Sequence, residues 1–216
     1  STGETQNGGT FRTRTNGILG DIVNSAPVFV GPPNARYPDI WPGTSAPENC
    51  ATCEDYSTFK YNHTTGTPRT PMVYAGTNGG TLNGFNADFS AANVEMLAYV
   101  PSSVFANLNK LPDPGYSHRY FVDGSPTAVD AFFAGDSSWH TVLAGGLNRG
   151  GQGIYALDIT DPSAFAATAA SAQNVVLWEF TDADDPDLGY TYSQPAIVRM
   201  HNGQWAAVFG NGFNNR

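Results

Sequence analysis

Positive charge is what this sequence has least of. Lysine occurs twice, at Lys60 and Lys110, only 13% of residues are charged, and the formal net charge is −9. Phosphate recognition needs clustered Lys and Arg, so the composition argues against nucleic acid as a partner. An anionic membrane surface is disfavoured on the same electrostatic ground. Long apolar runs are missing too, and nothing approaches the ~20 residues of a membrane helix, so no membrane span is expected. Residues 1–9 lack the basic start and apolar core of an export signal. If the protein is exported, its targeting segment lies upstream.

Catalytic signatures are absent in the same way. There is no G-x-S-x-G turn to strain a serine nucleophile, no P-loop, and no H-E-x-x-H metal helix. The glycine-rich stretch 145–153 joins two apolar runs and opens no helix, so it lacks the context of a dinucleotide loop. No catalytic or cofactor-binding residue is assigned.

Cysteine is nearly absent, and its two copies, Cys50 and Cys53, are spaced C-x-x-C in a Pro-rich loop. A small disulfide stapling an exposed loop suits that setting in an oxidising compartment. A thioredoxin-like site needs a strand before it and a helix N-terminus after it to lower the thiol pKa. Here Pro47-Glu48-Asn49 precedes and the acidic pair Glu54-Asp55 follows. Haem attachment requires His next, and position 54 is Glu.

What the chain does have is a repeat. A polar-Pro step followed by an apolar run opens three units, at Ser25-Ala26-Pro27-Val28, Ser125-Pro126-Thr127-Ala128 and Ser193-Gln194-Pro195-Ala196. Second runs end on small residues and glycine: Met72–Gly76, Thr141–Gly145 and Ala207–Gly210. Third runs follow a glycine-rich turn, at Leu82–Asn86 and Ile154–Asp158, and fourth runs are Met96–Val100 and Val175–Phe180. Four short strands per repeat predict an all-β fold, a β-propeller of quinoprotein-like four-stranded blades, two complete and part of a third. The expected layout is a first blade at about 20–100, a linker helix at about 102–117, a second blade at about 120–181 and a partial third at about 190–216. A partial propeller exposes blade flanks and strand edges, so it should pack against further blades of its own chain or against another chain.

Residues 31–70 interrupt the first blade with prolines at 32, 33, 38, 42, 47 and 68. This predicts a long ordered insertion or loop rather than a strand, and loops of that length are commonly functional. It also carries the sequon Asn62-His63-Thr64, which is usually idle in a bacterial protein. Ser102 or Ser103 is expected to cap a helix with Val104, Leu108 and Leu111 on one face, ended by Pro112. Asp161 with Pro162 predicts a second helix over 163–172. Tight turns are expected to rest on glycine at Asn78-Gly79-Gly80, Arg149–Gly153 and Asn202-Gly203.

Candidate ligand residues are few. Asp182, Asp184 and Asp187 alternate like the start of a calcium loop, but Pro186 sits at the third ligand position and Ser193 where a bidentate Glu belongs. A structural acidic turn is the plainer reading. His63, His118, His140 and His201 show no ligand spacing and read as loop or turn histidines. Asp158 should end a strand and Asp161 cap a helix. Trp139, Trp178 and Trp205 read as core aromatics before they read as a sugar platform.

Three long stretches carry a family resemblance. They are Arg69–Phe85 (RTPMVYAGTNGGTLNGF), Tyr120–Pro126 running on through Gly145-Gly146 to Ile154–Pro162, and Leu177–Phe180 with Leu188-Gly189-Tyr190 and Gly210–Asn214. From about Gly20 onward the chain resembles the C-terminal β-propeller of the PilY family of type IV pilus proteins. That resemblance implies an exported, non-enzymatic protein of the bacterial cell surface and pilus tip, in the outer membrane or periplasm during assembly. It implies roles in pilus extension and retraction, twitching motility and adhesion, with minor pilins and host or abiotic surfaces as partners. It also implies calcium, in an EF-hand-like loop of the family that would lie beyond Arg216. The chain departs from the family pattern at Gly80 and Asn83, where an acidic residue and His are expected. Other propeller functions considered are a quinoprotein dehydrogenase and a surface carbohydrate-binding module. The former needs a full ring around its quinone and adjacent cysteines, which Cys50 and Cys53 are not.

Overall fold

In a computed structural model the described residues are 3–15, 17–43, 45–90 and 94–214. Three antiparallel sheets follow one another along the chain. The first holds β1 (Val28–Val30), β2 (Met72–Gly76), β3 (Leu82–Asn86) and β4 (Glu95–Tyr99). The second holds β5 (Thr127–Phe133), β6 (Ser138–Gly146), β7 (Gly153–Asp158) and β8 (Val176–Thr181), and the third pairs β9 (Ala196–Arg199) with β10 (Trp205–Val208). In every sheet the strands lie in chain order, as propeller blades do.

The two complete blades agree in register as well as in order. Gly76 faces Leu82 in the first and Gly146 faces Ile154 in the second. Each blade carries a bulge between its third and fourth strands, at Gly84/Phe85 and at Ala156/Leu157. Strands β2 and β6 are largely buried, and β6 lies between the first blade, which Leu143 meets, and the third sheet, whose Ile197 and Trp205 pack in the cluster of Val142. One apolar cluster spans the blades, joining Met72, Tyr74 and Leu82 to Leu143, Tyr155 and Leu157 through Phe121 and Val122.

Glycine makes the blade joints. Gly76 ends the second strand of the first blade, and a Cβ there would strike the Val122 carbonyl. At the equivalent Gly146, a Cβ would sit 2.7 Å from the Thr191 carbonyl oxygen. In both places the segment leading into the next blade lies directly on the strand end. Polar latches add direction: Asn24 donates to the buried Asp123 at 2.6 Å, and the Leu147 N–H donates to Thr191 Oγ1 at 2.9 Å.

The local structure departs from sequence expectation in several places. The insertion contains a helix, α1 (Tyr56–Tyr61), running into a π-turn at Asn62–Gly66. No proline falls between 48 and 67, and Tyr56 and Phe59 bury one side of the helix. Neither Ser102 nor Ser103 caps a helix. A 3-10 turn (Ser102–Val104) precedes the short α2 (Phe105–Leu108), and the Ser102 N–H and hydroxyl both bond Glu179 of β8. The stretch 163–172 is split: Asp161 caps only Pro162–Ala164, and α3 (Ala169–Val175) has its own cap in Thr168. Phe165 takes an extended conformation between them and packs against the core, which breaks the helix. Val175 therefore closes α3, and β8 begins at Val176. Gly80 and Gly203 do take positive φ, of 93° and 86°. In the 148–153 turn the positive φ falls on Asn148, and Gly150 is instead required because a Cβ would strike the Phe121 carbonyl.

Candidate functional site

The insertion folds back over the second and third sheets. Its aromatics, Tyr37, Trp41 and Tyr56, meet Phe132, Trp139 and Trp205 in a separate cluster. Tyr37 stacks on Trp139 with ring centres 5.4 Å apart, and Tyr56 meets the same indole edge-on at 4.9 Å. Rings in these arrangements contribute roughly 0.5–1.5 kcal/mol per pair beyond their burial.

Beneath the rings lies a buried polar network. Tyr56 donates its hydroxyl to Asp130 Oδ2 at 2.7 Å, and Thr141 donates to Asp130 Oδ1 at 2.7 Å. The Arg69 guanidinium donates to Thr141 and to the Gly31 carbonyl. Burial and the bond to Asp130 push the Tyr56 phenol far above its ordinary pKa, so it stays protonated and donating. Arg69 comes from the insertion's end, Tyr56 from its helix, and Asp130 and Thr141 from β5 and β6. The insertion's helix and the β5–β6 hairpin are thus tied at one carboxylate, and Arg69 joins them through Thr141.

A second fastening surrounds the cysteines, which form a disulfide. Glu48 lies just before it, with only 1% of its side chain exposed, and accepts from Arg199 Nε at 2.7 Å and Nη2 at 2.9 Å. Trp205 Nε1 donates to the same carboxylate at 3.2 Å. Burial works against ionisation of Glu48, yet the bonds from Arg199 outweigh it and hold its pKa below the usual carboxylate range. Glu54 lies just after the disulfide. Its N–H donates to the Ser137 carbonyl at 3.0 Å, and its carboxylate accepts from the Trp139 N–H at 3.2 Å.

A third polar group sits at the outer end of β6. His140 Nδ1 bonds Asp158 at 2.6 Å, and Nε2 faces Asp136 and Ser138 Oγ, each at 3.0 Å. Phe133 stacks on the imidazole at 4.2 Å. Burial disfavours the charged ring, but Asp158 and Asp136 together raise its pKa above the ordinary value. A serine, a histidine and an aspartate in line resemble a nucleophile relay. Here Nε2 is shared between Ser138 and the Asp136 carboxylate at equal distance, so carboxylates flank both ring nitrogens and the imidazole is not aimed at the serine alone. The cluster is built to hold the β5–β6 hairpin, and His140 is a strand residue where a loop or turn position was expected.

The sequence candidates are scattered among these features. Asp182, Asp184 and Asp187 lie in the turn after β8, where Asp184 accepts from the Thr181 N–H at 2.9 Å and from its hydroxyl. Among the described residues no group of three or more His, Cys, Asp or Glu side chains is placed to hold a metal ion. Trp139 is buried and Trp205 half-buried, but Trp178 is 37% exposed, which corrects its reading as core. Its strand β8 is the outer edge of the second sheet, bordering an open groove of about 720 Å³ lined by Phe133, Leu177 and Trp205. Gly80 carries positive φ, which strains any side chain there, and a Cβ would push Leu108 Cδ2 aside from 2.6 Å. Asn83 is buried, accepting from Thr81 and donating to Glu95 within its own blade. Glu48, Glu54, Asp130 and His140 were not singled out in the sequence as interacting groups. For Asp130 and His140 the signal was there: in a chain only 13% charged, a carboxylate or imidazole inside an apolar strand is informative.

Comparison with known proteins points one way. The profile of the PilY1 beta-propeller domain matches residues 19–216. The type IV pilus biogenesis factor PilY1 of Pseudomonas aeruginosa strain PAO1 is 44% identical over 213 residues, covering 97% of this chain and 16% of that protein. A PilY1 homolog of Xylella fastidiosa is 39% identical over 213 residues, covering 99% of this chain and 13% of that protein. The chain thus spans about a sixth or less of the length of these relatives. The crystal structure of the P. aeruginosa PilY1 C-terminal domain superposes with a TM-score of 0.56 at 42% identity, covering 74% of this chain and 28% of that one. With four-stranded blades in chain order and a family match across nearly its whole length, this chain belongs to the PilY1 β-propeller domain family.

Proposed function

We propose that this chain is a non-catalytic, exported segment of a type IV pilus biogenesis protein. In this reading it works at the cell surface or pilus tip, in pilus extension and retraction, twitching motility and attachment. Minor pilins and external surfaces are its partners. The observation that supports the reading is the family match over residues 19–216. The fold supplies a physical rationale: a rigid two-blade base on which the insertion 31–70 is pinned by buried polar groups. Loops fixed on rigid scaffolds are the usual carriers of binding function. Ile40 and Tyr61 of the insertion project into solvent, available to a partner.

In this reading the run at 182–187 is a structural turn and not the calcium loop that the family resemblance implies. The run at 182–187 breaks the ligand pattern at Pro186, and Asp184 is spent on Thr181. A bacterial strain carrying the full-length gene with residues 34–66 replaced by a short Gly-Ser linker tests the proposal. Loss of surface pili, of twitching zones or of minor-pilin co-purification, with the protein still exported, is expected. Wild-type behaviour in all three overturns the role given to the insertion.

A further inference from the structure

We propose that the Cys50–Cys53 turn is a redox-controlled clip that fastens the β9–β10 hairpin to the tip of the β5–β6 hairpin. The disulfide stands between two prongs of opposite destination. Glu48 reaches Arg199 at the end of β9 and Trp205 at the start of β10, and Glu54 grips Ser137 and Trp139 at the β5–β6 tip. The hairpins also touch through Trp139 and Trp205, with ring centres 5.8 Å apart, and through Ile197 on Ala131. Those contacts are apolar and non-directional. Gln194 adds a direct polar link where the two sheets begin, to the Pro126 carbonyl and Thr127; at the hairpin tip the polar fastening runs through the insertion, and the covalent bond sets the spacing of its two prongs.

The chemistry of opening is simple. A dithiol reductant supplies two electrons and two protons, Cys50 and Cys53 become thiols, and the reductant leaves as its own disulfide. Cys50 is exposed, so a reductant can reach it. The freed 50–53 segment then regains the conformations that the closed ring forbids, and both prongs must be held without it. Glu48 gains most from the constraint, because a buried carboxylate needs Arg199 in fixed geometry to remain charged. The clip goes beyond the pilus reading and is independent of it, since the contacts concern only how one sheet is held against the next.

Amide hydrogen exchange on the full-length protein tests it, comparing the oxidised form, the form reduced by a dithiol, and the Cys50→Ser/Cys53→Ser variant. Opening a ring of four residues corresponds to about tenfold faster exchange, upper limit about twentyfold. That rise is expected in 133–139 and 196–208 together, in the reduced form and in the variant alike, with β2 and β3 unchanged. Glu48→Gln, its disulfide intact, should loosen 196–208 and add little when combined with the cysteine changes. Exchange that rises only within 49–54, or full additivity of Glu48→Gln with the cysteine changes, overturns the clip. Because the double-serine variant alters no other thiol, it separates this disulfide from any elsewhere in the protein.

Discussion

Replacing Arg199 by methionine removes a charge while nearly keeping volume, and the structure sets the size of the effect. Glu48 loses two charge-assisted bonds, at 2.7 and 2.9 Å, and keeps the Trp205 indole at 3.2 Å and its own backbone N–H. Breaking a buried ion pair from one side costs about 3–5 kcal/mol. Arg199 is 19% exposed, so water reaches part of the pair and the low end applies. The guanidinium also lies 4.4 Å above the Trp41 ring, a contact contributing roughly 0.5–1 kcal/mol, which is lost as well. Together these give about 3.5–4 kcal/mol, or roughly 400- to 900-fold in the opening equilibrium of β9–β10. Hydrogen exchange of amides 196–208 reads that number directly. A second signature distinguishes an orphaned carboxylate from lost packing. Without Arg199, Glu48 is a buried acid with a raised pKa, and it becomes neutral as pH falls through that value. The defect should therefore shrink from pH 7 towards pH 5, and Glu48→Gln/Arg199→Met should recover most of it. A loss under threefold, or one that is independent of pH, would refute the electrostatic account of this contact.

The His140 cluster makes a pH prediction of definite sign. His140 has a raised pKa, so its contribution is complete below its unfolded value of about 6.5 and is lost as pH climbs through the folded one. Asp158 and Asp136 are held below the ordinary value, against burial, chiefly by hydrogen bonds from His140 and Thr160 and from Ser138 respectively. Their contribution is present above about pH 4 and fades as pH falls through their depressed values. Intrinsically corrected exchange in β5–β6 should be slowest between these limits, and His140→Gln should flatten the alkaline arm; an unchanged profile counts against the assignment. At the blade joint, Gly146→Ala places a Cβ 2.7 Å from a backbone carbonyl that cannot swing away, at a cost of about 1–3 kcal/mol or more. A thermal melt matching wild type would show that the joint has slack. Tyr56→Phe removes one of the two hydrogen bonds to Asp130 described here, and about 1.5–3 kcal/mol of lost stability is expected in urea titration.

The sequence carried the blades more plainly than the site, for physical reasons. Strand runs bounded by polar-Pro steps and glycine turns are local patterns, and Val28, Thr127 and Ala196 each follow their Pro into a first strand. Backbone crowding is not local, so Gly150 read as a turn residue when its real constraint is the carbonyl of Phe121. The broken helix at 163–172 failed similarly, because Phe165 is claimed by a distant core. Glu48 and Arg199 are 151 positions apart, and no spacing rule joins them. His140 and Asp158 are 18 apart, and the offset between β6 and β7 that brings them together appears only once the strands pair. Trp178 misled for the opposite reason, since an apolar run says nothing about which strand of a sheet is its edge.

One feature of the first blade reaches further. Val30 pairs with Met72, so β1 and β2 keep an unbroken register across everything inserted between them. The blade's own strands are indifferent to what that excursion contains, provided its two ends return to neighbouring ladder positions. Residues 31–71 thus behave as a cassette, and the blade as its socket. Polar anchors that hold the cassette down include Tyr56 on Asp130, Arg69 on Thr141, Glu48 on Arg199, and Glu54 on the β5–β6 tip. A protein made this way can exchange its outward face in one piece, provided the replacement keeps the side chains that meet the second and third sheets.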